Sequence, residues 1–84
     1  MNTTQPQLIK MNIYPNPTHS TFNISTTQIG LLQYTLHSPN GQVVGNGSFE
    51  ESTQVDVSQL PVGLYFLQVQ GEGVLERRKV VIYR

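Results

Sequence analysis

A chain of 84 residues with zero formal net charge and only 12% charged residues has room for one small core and no long-range field toward nucleic acid or anionic lipid. The absence of Cys and the presence of a single Asp exclude disulfides, thiolate metal sites and aspartate-pair chemistry. Leu, Ile, Val and Phe make up about 30% of the chain while Ala is absent and Val plus Thr supply 17 residues. That composition predicts a folded, all-β domain.

Residues 1–8 are polar, with no apolar h-region, and read as a linker remnant ahead of one folded unit over residues 9–84. No apolar run approaches the roughly 18–20 residues of a membrane span, so direct membrane insertion is not expected.

Ile9 to Ile13 alternates as a strand, halted by Pro15 and Pro17, which cannot donate to a ladder. Thr21 to Ser25 follows with Phe22 and Ile24 inward, then Gln33 to His37 with Tyr34 and Leu36 inward. Ser38-Pro39-Asn40-Gly41 predicts a two-residue hairpin turn, Asn-Gly supplying the positive φ angles. Gln42 to Phe49 returns, with Gly45 and Gly47 marking a bulge or bend. Thr53 to Val57 turns Val55 and Val57 inward, and Leu60-Pro61-Val62-Gly63 fits a type I turn.

In the next strand Tyr65, Leu67 and Val69 form one face against Leu64, Phe66, Gln68 and Gln70. Gly71-Glu72-Gly73 leads into the final strand, Val74 to Tyr83. Seven such strands predict an immunoglobulin-like antiparallel β-sandwich. In the final strand Val80 and Ile82 alternate with Val81 and Tyr83, so neither face is polar. One apolar face is therefore covered by a loop or docks a partner, possibilities that include strand addition at an open edge. Through the same surface, a weak dimer stays open.

Candidate chemistry is sparse. His19 and His37 have no neighbouring carboxylate in sequence, Asp56 between valines is expected to face solvent and bond the nearby turn, and no Ser sits in a nucleophile elbow. No catalytic residue, cofactor or metal site is expected. Arg77, Arg78 and Lys79 split between two faces and lack stacking partners, so nucleic-acid binding is not expected either.

Four pieces then stand in order: Tyr14-Pro15-Asn16-Pro17, the Asn40-Gly41-Gln42-Val43-Val44 hairpin, Leu60-Pro61-Val62-Gly63-Leu64-Tyr65-Phe66, and the basic-then-apolar run Arg77-Arg78-Lys79-Val80-Val81-Ile82-Tyr83-Arg84. Together they resemble the type A C-terminal sorting domain of cargo proteins of the bacterial type IX secretion system, over about Asn12 to Arg84. Ser38 and Gln42 depart from that pattern, where Asp and a basic residue are common.

The resemblance implies a non-catalytic address label with the same sandwich fold. It implies an N-terminal cargo domain, passage through the periplasm, and recognition by the type IX translocon. A sortase-like cysteine peptidase would then cut near the boundary before Tyr14, leaving the cargo secreted or on the cell surface. Lys79, Val80, Val81 and Ile82, with Gly63, Tyr65 and Phe66, are the expected recognition element. Tyr14, Pro15, Asn16 and Pro17 are the expected cargo boundary.

Two other readings stand beside it. An immunoglobulin-like accessory module would hold a glycan on Phe66 and Tyr83, or a partner protein, or an ion on Asp56, Glu50 and Glu51. A structural spacer would have no partner, and the run of the final strand to Arg84 argues against it.

Overall fold

The computed structural model describes residues 10–28 and 30–84. Seven antiparallel strands follow one another along the chain: β1 (Met11–Tyr14), β2 (Thr21–Thr26), β3 (Leu31–His37), β4 (Val43–Glu50), β5 (Ser52–Asp56), β6 (Gly63–Gly71) and β7 (Val74–Ile82). Their ladder order is β1-β2-β5-β4-β3-β6-β7. Between β4 and β5 the ladder is a single pair, Glu50 with Ser52, around Glu51 at φ 67°. At that corner the ladder folds over, giving a β1-β2-β5 sheet packed on a β4-β3-β6-β7 sheet.

The expected sandwich is therefore the observed one, and its core follows the period-two pattern. Phe22, Ile24 and Val55, with Val57 just beyond β5, come from the smaller sheet; Leu36, Leu67, Val69, Val80 and Ile82 come from the larger. Tyr34 is half-buried against this core, its ring 6.3 Å from that of Phe49. Gly47 makes room for it: a Cβ there would lie 2.8 Å from the Tyr34 ring.

Three local expectations give way. Asn40 has no positive φ; only Gly41 does, at 88°. Ser38 N–H donates to the Gln42 carbonyl and Gly41 N–H to the Ser38 carbonyl, so the loop has three residues and closes on a left-handed glycine. The tight turn expected at Leu60–Gly63 lies earlier, where Leu60 N–H reaches the Val57 carbonyl at 3.0 Å. Asp56 fixes it by accepting from Ser58 N–H at 2.8 Å, as expected of that residue. Finally, β3 begins two residues before Gln33, and this brings in Leu32, fully buried. Ile9, expected to start the first strand, lies outside the described residues.

Candidate recognition site

The expected recognition residues lie on β6 and β7, which pair along their whole length. Leu64 stands opposite Val81, Phe66 opposite Lys79, and Gln68 opposite Arg77. Alternation sorts these residues by face. Tyr65, Val80 and Ile82 are buried in the core. Leu64 (37% exposed), Phe66 (39%) and Val81 (39%) point to solvent. Lys79 joins them as Phe66's cross-strand neighbour. The same row continues across β3 and β4 through His37 to Val43, which is also exposed.

Six of the seven expected residues thus divide in two. Lys79, Val81 and Phe66 form an outward patch; Val80, Ile82 and Tyr65 hold the fold. Tyr65 also donates its hydroxyl to the Pro61 carbonyl at 2.8 Å, pinning the segment between β5 and β6. Gly63 opens β6 at φ 148°, a backbone setting that favours glycine. Leu64 completes the patch, and nothing in its local sequence separates it from a core leucine except the parity set by Tyr65 and Leu67.

The Tyr14-Pro15-Asn16-Pro17 motif begins on the last residue of β1 and touches the final strand. Asn16 Nδ2 donates to the Lys79 carbonyl at 2.8 Å, and Asn16 Oδ1 accepts from Val81 N–H at 3.1 Å. One side-chain amide thereby imitates a neighbouring strand. Thr18 continues the imitation with its backbone: its N–H donates to the Val81 carbonyl at 2.8 Å, and its carbonyl accepts from Tyr83 N–H at 2.9 Å. Thr18 is buried, and its hydroxyl donates to the Thr21 carbonyl. His19 then tilts its ring against Tyr83, centroids 5.8 Å apart. Two motifs that are separate in sequence are thus one structural unit.

Arg84 ties the other side. Its guanidinium donates to the carbonyls of Leu60, Val57 and Ser58 at 2.6, 2.9 and 3.1 Å. These carbonyls belong to the turn before β6, and no local sequence signal links them to a cation 24 or more residues away.

Among the described residues, no group of three or more His, Asp or Glu side chains gathers as a metal site. Among those same described residues, no helix is long and apolar enough to cross a membrane. At Asp56, hydrogen bonds from the Ser58 side chain and backbone hold the carboxyl below its ordinary value.

With that geometry in place, comparison with known families is decisive. The family described as the secretion system C-terminal sorting domain matches residues 12–83. The chain belongs to this family. No match was found among the curated proteins compared with it. The sorting domain is a C-terminal signal for type IX secretion. Its family membership implies interaction with the type IX machinery, an N-terminal cargo, and export to the cell surface or medium. The matched span contains both the Asn16 clasp and the β6–β7 face.

Proposed function

We propose that the sorting domain is read by the translocon through the outward face of β6 and β7, centred on Leu64, Phe66, Lys79 and Val81. The observation that carries this reading is the two-sided burial of the ribbon. Its inward side chains already fill the core, so the outward apolar ones do nothing for the fold that a polar residue could not do. Three exposed apolar side chains beside a lysine form a contiguous patch, the kind of surface that marks a protein contact. Val80, Ile82, Tyr65 and Gly63 contribute by holding that face in shape.

Tyr14, Pro15, Asn16 and Pro17 serve as an internal clasp that keeps β7 in register while cargo is attached upstream. In this scheme residues 1–8 are the link to cargo, and the precursor reaches the translocon from the periplasm. The sortase-like cysteine peptidase cuts ahead of Met11, because β1 is paired with β2 from Met11 to Tyr14 and a paired strand cannot enter a peptidase cleft. The domain itself is read as non-catalytic, since its family is a sorting signal of cargo proteins.

The test is export of a periplasm-directed fluorescent protein fused to residues 8–84, in a host with a type IX system and in a strain lacking the translocon. Reporter outside the first cells and retained in the second supports the reading. Equal retention in both overturns it for that host's machinery.

A further inference from the structure

The edge of β7 is closed along one half and open along the other. Asn16 and Thr18 occupy the Lys79 carbonyl, both polar groups of Val81, and Tyr83 N–H. Backbone alternation then points the N–H and C=O of Leu75 and Arg77, and the N–H of Lys79, off the same edge. Among the described residues no backbone group meets them. The Arg77 carbonyl holds only the neighbouring Arg78 guanidinium, at 3.0 Å.

At this open half lies a recess lined by Phe66, Arg77, Arg78 and Lys79. Lys79 is the cross-strand neighbour of Phe66 there, and Arg77 stands two residues along the same face. Arg78 is paired with Glu76 at 2.6 Å, and Arg77 rests its Nε on the neutral Gln68 amide at 3.1 Å. Among the described residues no carboxylate pairs with Arg77 or Lys79. Their side chains are two residues apart on one face, the spacing at which an added strand presents its own alternate residues.

We infer that the Leu75–Lys79 edge is a docking site for an extended acidic peptide segment, which adds as a strand and sets alternate carboxylates against Arg77 and Lys79. This names the chemistry of the partner at the recognition face proposed above, and rests on that reading for its biological setting. Strand addition satisfies the open backbone groups, and the carboxylates give the polarity. A second copy of the chain fits less well: antiparallel pairing of two β7 edges centred on Arg77 would set Arg77 against Arg77, and like charges directly opposite repel. The clasp sets the limit of the site, since a strand running past Lys79 would collide with Asn16.

The test titrates the isotopically labelled 84-residue chain with a peptide of alternating Glu and Val, and with its Lys–Val counterpart, by NMR. The expected result is amide shifts and new exchange protection at Leu75, Arg77 and Lys79, with affinity for the acidic peptide at least about tenfold above the basic one and falling as salt rises. The double variant Arg77→Ser, Lys79→Ser, both exposed, should keep its urea midpoint and lose about tenfold in affinity.

Equal affinity for the two peptides would overturn the inference. So would shifts confined to other edges, concentration-dependent self-association at β7, or preferential binding to phosphatidylglycerol vesicles. Reporter export separates this from the broader reading. Loss of export in Phe66→Ser, Val81→Ser without any acidic-peptide binding would overturn the acidic strand alone. Peptide binding at the edge with undiminished export of that variant would support the strand site and overturn the outward-face reading.

Discussion

The two faces of the β6–β7 ribbon have nearly the same residue chemistry and opposite fates. Inward, Tyr65, Leu67, Val69, Val80 and Ile82 are almost wholly excluded from water; outward, Leu64, Phe66 and Val81 keep more than a third of their surface in it. Hydrophobicity alone does not say which set folds the domain and which set is available to a partner. Parity does, because a one-residue shift exchanges the two. The lesson for such a domain is that its most apolar strands can serve fold and recognition at once, one on each side.

That contrast can be broken most severely from the inside. Leu67→Ala or Ile82→Ala leaves a cavity beneath the ribbon and should cost about 2–5 kcal/mol. A domain of this size holds only about 4–13 kcal/mol in total. Urea unfolding should show this as a large fall in midpoint, and export should fail with the fold.

Loosening the edge is the next step down. Asn16→Ala removes two hydrogen bonds between the clasp and β7, for an expected loss of about 1–2 kcal/mol, with faster amide exchange at Val81. Asn16→Asp is the sharper variant, since it retains an acceptor for Val81 N–H but sets an oxygen against the Lys79 carbonyl. Arg84→Met leaves three turn carbonyls to water and should cost about 1 kcal/mol, detectable by thermal unfolding.

Outward substitutions should scarcely register in stability. Phe66→Ser and Val81→Ser are expected to shift unfolding by no more than about 0.5 kcal/mol, while depressing export strongly.

The smallest effect concerns acid. The folded carboxyl of Asp56 titrates below its ordinary value near 3.8 because Ser58 hydrogen-bonds its charged form. Its contribution is therefore fully present above that value and fades as pH falls through the folded pKa. Asp56→Asn should remove this small contribution at neutral pH, so the acid limb of the stability–pH curve flattens slightly while stability below the folded pKa stays unchanged.

Much of this was legible in the sequence, for a physical reason. Half-buried antiparallel strands write their burial into alternate positions, so Phe22, Ile24, Val55, Leu67 and Val69 could be placed in the core from spacing alone. Turns were less legible. Asn40-Gly41 signals a hairpin, but Ser38 and Gln42 bond across a longer loop, and the true turn before β6 is set by Asp56 and Ser58 rather than by Pro61. Leu32 was hidden because the Gly30-Leu31-Leu32 stretch lacks alternation.

The proposed recognition face reads in the sequence as a stretch and not as a surface. Lys79 to Ile82 and Tyr65-Phe66 fall on two adjacent strands, but a contiguous list mixes buried with exposed residues. The clasp was not legible at all. Asn16 and Lys79 are 63 residues apart, and nothing in Pro-Asn-Pro says which strand its amide will meet. Long-range contacts of single polar side chains leave no periodicity to read.

The most direct measurement is export of the reporter carrying Leu64→Ser, Phe66→Ser, Lys79→Ser and Val81→Ser together, with its urea unfolding curve recorded on the same protein. The account predicts a cooperative unfolding transition close to that of the unsubstituted domain and reporter retained inside the cell. Undiminished export from a folded domain stripped of that face would contradict it.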